Sequence, residues 1–236
     1  MINSMRIGIL LPTYNECDNI QDIVNAIFLH VPEAHVVVVD DNSPDGTHEL
    51  VRSMQSTYPT LELLLREKKE GLGKAYIDGF KYFTKKGSVD AVLMMDADFS
   101  HDPASIPGLA ETAKNYDVVV GSRYVAGGGT EGWETWRLLL SKFGNFYARS
   151  VVKMPVRDCT GGFNLIRTEF LKKIDFELMD MSGYAFQIEL KYLLAKAGAR
   201  FTEVPILFKN RVNGESKITN HIIREGIIAP WKIRKK

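Results

Sequence analysis

Short apolar runs alternate with amphipathic stretches through the first half of the chain. Residues 7–11, 36–39, 61–65, 91–95 and 118–120 are mainly aliphatic. Such runs are too short for helices and lack the in-out alternation of a strand with one wet face. They predict strands covered on both faces. Between the first two, residues 19–29 place Ile20, Ile23, Val24, Ile27 and Phe28 on one helical face. Residues 49–58 and 74–84 have the same period. Strand and helix in repetition predict a parallel sheet with helices on both sides. Right-handed crossovers would gather the strand C-termini along one edge, where ligands of open α/β sheets bind.

The second half has a different rhythm. Gly127, Gly128 and Gly129 interrupt the pattern. Residues 135–152 then predict a long helix, and a turn at Gly161 and Gly162 leads into a strand over 163–166. A helix over 184–197 ends at Gly198. Residues 201–208 read as a strand in which Pro205 signals a bend or a sheet edge. The tail carries Ile218, Ile222, Ile223, Ile227, Ile228 and Trp231 among basic residues. With no repeat or clear linker, we expect one catalytic-type domain over residues 1–217 and an amphipathic basic helix over 218–236. That helix suits a membrane interface or simple packing on the core, since amphipathicity alone fits both.

The 236 residues are 45% hydrophobic, enough for one sizeable core. A net charge of +1 leaves no global field to attract nucleic acid, so any anion site must be local. Two cysteines, Cys17 and Cys159, make neither a disulfide framework nor a thiolate metal cluster. No apolar run approaches the ~18 residues of a membrane span. The first residues also lack the pattern of a secretory signal, which points to synthesis in the cytosol.

Polar residues cluster where the strands should end. Pro12, Thr13, Tyr14, Asn15 and Glu16 follow the first run, Asp40 to Gly46 the second, and Asp96, Ala97 and Asp98 the fourth. Carboxylates crowded at one edge repel each other, and a divalent cation relieves that conflict. All-oxygen donors suit Mg²⁺ or Mn²⁺. Each cluster alone also suits a helix cap or an Asx turn, and Glu16 suits the first turn of a helix. Three clusters at successive strand ends favour a site. Gly71, Leu72, Gly73 and Lys74 start a helix without Walker spacing, so a tight turn is the simpler explanation. His101, beside Asp102 and Pro103, reads as a turn residue. Arg123 follows the fifth run, Arg137 lies early in the long helix, and Arg211 and Lys217 flank a polar segment. Guanidinium groups suit bidentate phosphate contacts, although any single arginine is more simply a solvated surface group.

Taken in order, Pro12 to Glu16, Asp40 to Thr47, Gly71 to Ala75, Asp96-Ala97-Asp98, Gly121-Ser122-Arg123-Tyr124, Thr160-Gly161-Gly162-Phe163 and Gly214-Glu215-Ser216-Lys217 resemble one known group. It is the dolichyl-phosphate (polyprenol-phosphate) mannosyltransferase group of the family-2 glycosyltransferases, and the resemblance covers residues 6–217. It implies an α/β GT-A fold with a Rossmann-like, mostly parallel central sheet. It also implies transfer of mannose from GDP-mannose to dolichyl or polyprenyl phosphate, with inversion and a divalent metal. By motif position, Pro12, Tyr14, Glu16, Val39 and Asp41 would hold the guanosine. Asp96, Ala97 and Asp98 would meet metal, ribose and diphosphate, and Arg211 and Lys217 would reach the diphosphate. Arg123 and Arg137, with Ser141, would grip the acceptor phosphate, and Arg123 would also border the donor. Asp98, Arg123 and Arg137 are thus the expected catalytic residues. Ser100 stands where many relatives carry a metal-binding glutamine. The resemblance further implies a peripheral position on the cytoplasmic face of a membrane, and leaves open an anchoring partner subunit. UDP-glucose or another UDP-sugar is the alternative donor. Because the acceptor would itself be an anion at neutral pH, no general base is required.

Overall fold

Alternate residues of the central strands enter two different cores, which explains why their sequences are apolar without interruption. Leu10, Val37, Val39, Val92, Met94, Val118 and Val120 face one core. Their strand neighbours Ile9, Leu11, Val36, Val38, Leu93 and Val119 face the other. This is the period of two in a sheet covered on both sides. The computed structural model describes residues 5–210 and 220–236, with side chains of the latter segment from residue 226 onward. Arg211 and Lys217 lie outside the described residues.

The elements in chain order are β1 (Ile7–Thr13), α1 (Cys17–His30), β2 (His35–Asp40), α2 (Thr47–Met54), β3 (Leu61–Leu65) and α3 (Leu72–Lys86). There follow β4 (Ala91–Met94), α4 (Ile106–Thr112), β5 (Val118–Ser122), β6 (Gly129–Glu131) and α5 (Thr135–Val152). The chain continues through β7 (Asn164–Arg167), α6 (Thr168–Leu171), α7 (Gly183–Lys196), β8 (Phe201–Pro205), β9 (Leu207–Lys209) and α8 (Asn220–Ile233). The main sheet has the order β3-β2-β1-β4-β7-β5-β8. Its first four strands are parallel, as are β5 and β8. Helices α1, α2 and α4 cover one face, and α3, α6, α7 and parts of α5 and α8 the other.

Three details sharpen the sequence expectation. Strand β7 runs antiparallel between β4 and β5, so the sheet is mixed. Residues 201–208 form two strands, because after Pro205 the chain leaves the main sheet and β9 pairs with β6. Helix α8 packs its inner side into the core, where Ala229 and Ile233 are buried, while Ile227, Ile228 and Trp231 stay exposed.

The chain runs out along β1, β2 and β3 and returns to place β4 on the free side of β1. The C-terminal ends of β1 and β4 therefore border the point where connections diverge, the place where open sheets form a crevice. Helix α3 lies close over β1 there. A Cβ on Gly79 would meet Leu10 at 2.5 Å, and one on Gly8 would meet Phe83 at 2.7 Å. Only glycine permits that approach.

Candidate active site

The loops after β1 and β2 are knitted together by side-chain caps. Asp40 is fully buried and accepts hydrogen bonds from the Thr13 hydroxyl (2.7 Å), the Ser43 amide (2.8 Å) and the Ser43 hydroxyl (2.6 Å). The Asn15 amide donates to the Ser43 hydroxyl at 3.0 Å, and the Glu16 amide to the Thr47 hydroxyl at 3.1 Å. Asp45 accepts from the amides of Cys17 and Thr47 and from the Thr47 hydroxyl. Burial alone would raise its pKa, but the bonds from Thr47 and Cys17 outweigh that and hold it below the ordinary value. Asp40 and Asp45 are thus scaffold, as their turn chemistry allows.

That scaffold shapes a cleft of about 250 Å³ over the β1–β4 divergence. Its walls include Pro12, Tyr14, Glu16, Asp41, Asp96, Ala97 and Asp98, so seven residues expected at the donor are brought together. Val39 is not among them. Its side chain is fully buried in the core with Leu10, Val37 and Tyr76, so the expected guanosine contact is not one its side chain makes. The cleft also includes Lys69, Gly71 and Leu72, which were not expected. Gly71, at φ 97°, begins α3 and donates its amide to Asp41 at 3.2 Å. A cap on this helix start and a cleft wall are therefore the same residue.

Asp41 lines the cleft as an ion-paired carboxylate. It pairs with the Nη1 of Arg66 and accepts from the amides of Glu70 and Gly71. Arg66 itself reaches Asp78 at 2.8 Å and Glu70 at 3.0 Å. At the other end of the cleft, the Asp98 carboxylate accepts from the Ser100 amide at 3.0 Å. Asp96 accepts from the buried Tyr76 hydroxyl at 3.4 Å, and its own amide donates to Nδ1 of His101 at 3.1 Å. His101 lies at a bend, as expected, but its side chain is not solvated. It is 1% exposed and stacks on Phe163, and burial lowers its pKa although Asp96 and Asp98 oppose the shift. The imidazole is neutral and anchors the main chain of Asp96.

The donors at this end suit a hard cation. They comprise the carboxylates of Asp96 and Asp98; two residues on, outside the cleft lining, the Ser100 hydroxyl is buried without a hydrogen-bond partner among the described residues. No group of three or more His, Cys, Asp or Glu residues is gathered for a metal among the described residues. A cation here would take its remaining ligands from a diphosphate and water, the habit of Mg²⁺ and Mn²⁺.

The basic residues occupy a neighbouring region between β5, α5 and β9. Arg123 is buried, and its Nε and Nη2 donate to Asp158 at 2.8 and 2.7 Å, with a further bond from Nη2 to Thr160. Burial works against both charges, but each raises the other's ionisation. The arginine pKa is therefore raised and that of the aspartate lowered. Arg137 lies 4.2 Å from the ring centroid of Trp133, and Arg123 lies 5.6 Å from the same centroid. Ser141 shares a 2.6 Å hydrogen bond with the Tyr124 hydroxyl. Arg123, Arg137 and Ser141 thus fall in one region, joined through Trp133 and Tyr124.

The partner of Arg123 was missed by sequence reasoning, because a single aspartate between Arg157 and Cys159 carries no visible pattern. Lys191 was missed for the same reason. It is buried under the same loop, donating to the carbonyls of Gly161 (2.7 Å) and Cys159 (3.3 Å), and burial pushes its pKa down to about 8.

The family model for glycosyl transferase family 2 matches residues 8–175. The chain is 38% identical to an undecaprenyl-phosphate mannosyltransferase of Micrococcus luteus, over 95% of this chain and 92% of that protein. It is 38% identical to a polyprenol monophosphomannose synthase of Mycolicibacterium smegmatis, over 98% and 88%. A mannosyltransferase from Pyrobaculum calidifontis, solved with GDP-Man and Mn²⁺, superposes with a TM-score of 0.62 at 20% identity, over 95% of this chain and 61% of that one. The last likeness speaks for the GT-A fold alone. The matched segment holds both the acidic cleft and the Arg123–Asp158 pair, and the chain belongs to glycosyl transferase family 2.

Proposed function

We propose that the protein transfers mannose from GDP-mannose to a polyprenyl phosphate, giving a β-mannosyl phosphate lipid and GDP. The observation that carries this reading is the cleft itself. It joins an aromatic, acid-lined end at Tyr14, Glu16 and Asp41 to a hard-oxygen end at Asp96 and Asp98. The names of two relatives at 38% identity across nearly the full chain support mannose as the transferred sugar and a polyprenyl phosphate as the acceptor class.

In this mechanism an oxygen of the acceptor phosphate attacks the anomeric carbon from the face opposite the diphosphate. The bond from that carbon to the diphosphate breaks, and GDP departs. Two anions must approach each other, so cationic groups supply the main assistance. Arg137 and Ser141, with Arg123 held in place by Asp158, bind the acceptor phosphate. Asp96 and Asp98, with Ser100, would hold Mg²⁺ or Mn²⁺, and that ion would supply positive charge to offset the charge on the departing diphosphate. Arg211 and Lys217 are assigned to the diphosphate by their place in the sequence alone. Neutral His101, its Nδ1 occupied by the Asp96 amide, is not needed as a base.

The reading also places the protein on the cytoplasmic face of a membrane. No helix among the described residues is long and apolar enough to cross one. Helix α5 nonetheless exposes Trp136, Leu139, Phe143 and Phe146, each more than half accessible and spaced on one helical face. Its charged residues, Arg137, Lys142 and Arg149, are all basic. Exposed Ile227 and Trp231 of α8 lie alongside, with Trp231 Nε1 donating to the Tyr147 hydroxyl at 2.8 Å. Large apolar groups flanked by lysine and arginine suit an anionic lipid surface. We expect Phe143→Ser/Phe146→Ser to reduce sedimentation with phosphatidylglycerol vesicles at least about tenfold, since two phenyl groups contribute a few kcal/mol of burial. Unchanged sedimentation would remove α5 from the docking face.

The direct test is incubation with GDP-mannose, Mg²⁺ or Mn²⁺ and a short polyprenyl phosphate, with the lipid product read by mass spectrometry. Metal-dependent mannosyl phosphate lipid is the expected result. Product from UDP-glucose in place of GDP-mannose would overturn the donor assignment while keeping the site.

A further inference from the structure

Lys69 is a cleft residue that no motif assigned, and its surroundings give it a task. The segment between β3 and α3 is pinned along its length. The Arg66 amide donates to the Asp40 carbonyl (2.9 Å), Asn42 donates to the Glu67 carbonyl (3.2 Å), and the amides of Glu70 and Gly71 donate to Asp41. Lys69 is therefore presented by a braced loop, although its side chain is exposed. Its neighbours Lys68 and Lys74 both lie against Glu70. Among the described residues no carboxylate forms an ion pair with Lys69. Its ammonium rests 3.5 Å from the centroid of the Tyr14 ring, inside the cleft.

Strand order shows which end of the cleft this is. Asp96 and Asp98 follow β4, on one side of β1, whereas Lys69 follows β3, two strands away on the other side. Lys69 thus sits at the end away from the hard-oxygen donors, where a nucleotide base rather than its diphosphate would lie. Tyr14 offers a ring face there, and Lys69 covers that face.

We propose that Lys69 is a specificity-determining residue that reads the donor's base as guanine. This rests on the donor reading given above. An entering base displaces the ammonium from the face of Tyr14, and the ammonium then donates to O6 and N7, two acceptors on one edge of guanine. Glu16, whose carboxylate accepts from the Asn19 side-chain amide at 2.9 Å, lines the same cleft. Adenine turns an amino donor towards Lys69 at the corresponding position. Uracil presents a single carbonyl on that edge.

The test is equilibrium binding of GDP, IDP, ADP and UDP by calorimetry, in Mn²⁺, to the wild type, Lys69→Met and Lys69→Arg. Because the side chain is exposed, the variants should melt with the wild type. Lys69→Met should weaken GDP and IDP about tenfold, equal to about 1.4 kcal/mol. It should change ADP and UDP less than about twofold, and Lys69→Arg should restore GDP binding, as the charge-assisted bond is kept. IDP, which keeps O6 and N7 but lacks the 2-amino group, separates this contact from those at the other edge. Equal weakening of all four nucleotides would place Lys69 on the diphosphate and overturn the inference. Unchanged GDP binding in Lys69→Met would overturn it and leave the donor reading intact. Failure of the wild type to bind GDP at all would overturn both.

Discussion

Replacing Asp98 with alanine should lower mannosyl transfer by about 10²–10³-fold or more, the usual scale for losing one preorganised electrostatic group at the reacting centre. Asp98 is 5% exposed at the hard-oxygen end of the cleft, and its carboxylate is oriented by the Ser100 amide. On the proposed mechanism the substitution removes a charge and a metal oxygen together, while the turn keeps its main-chain path. Melting temperature should therefore move far less than activity. Manganese binding followed by electron paramagnetic resonance should weaken in parallel. Asp98→Asn keeps the shape and one oxygen, and should recover part of the rate at high metal concentration. Full activity in Asp98→Ala would remove the residue from the mechanism.

The second large effect concerns stability and catalysis at once. Arg123→Met leaves the buried Asp158 carboxylate without its main partner, which should cost about 3–5 kcal/mol in urea denaturation. The cost should fall toward the lower end, because Lys191 also acts on Asp158. A loss of transfer in this variant alone would not distinguish a damaged fold from a missing phosphate ligand. The double variant Arg123→Met/Asp158→Leu does, since an apolar replacement of a buried ion pair often restores stability. We expect the double variant to regain most of the melting temperature and little of the transfer. Recovery of both would make Arg123 purely structural and leave the acceptor phosphate to Arg137 and Ser141.

Parts of this site were legible from sequence because they rest on short-range rules. Acidic residues after buried strands must come to one edge of a parallel sheet, and Pro12, Tyr14, Glu16, Asp41, Asp96, Ala97 and Asp98 do line one cleft. What escaped depends on contacts between distant segments. The Arg123–Asp158 pair spans thirty-five residues, and nothing local to Asp158 marks it. His101 looked like a turn residue because the motif around it is polar, yet Phe163 and Phe208 enclose it from elsewhere in the chain. Lys69 lies in a charge-rich run that reads as a solvated face. The direction of β7 was also hidden, since an apolar run has the same composition whichever way it points. The outward face of α5 was overlooked because its period fits a helix whether the apolar side is covered or bare.

The reversed strand has a consequence for how the molecule comes into being. On a ribosome N-terminal segments emerge before C-terminal ones, and β1 to β4 can pair in order as they appear. The next edge of β4 must wait for β7, whose partner for Ala91 is Arg167. Until then β4 and β5 cannot take their final spacing, because β7 stands between them. Asp96 and Asp98 follow β4 and Arg123 follows β5, so the distance between these carboxylates and that arginine is set by a strand made later than either. Pairings this remote in sequence close slowly. The cleft over β1 and β2 should therefore be able to form on a nascent chain before the Arg123 region, and on the proposed assignment a newly made protein would recognise its donor before it could use it.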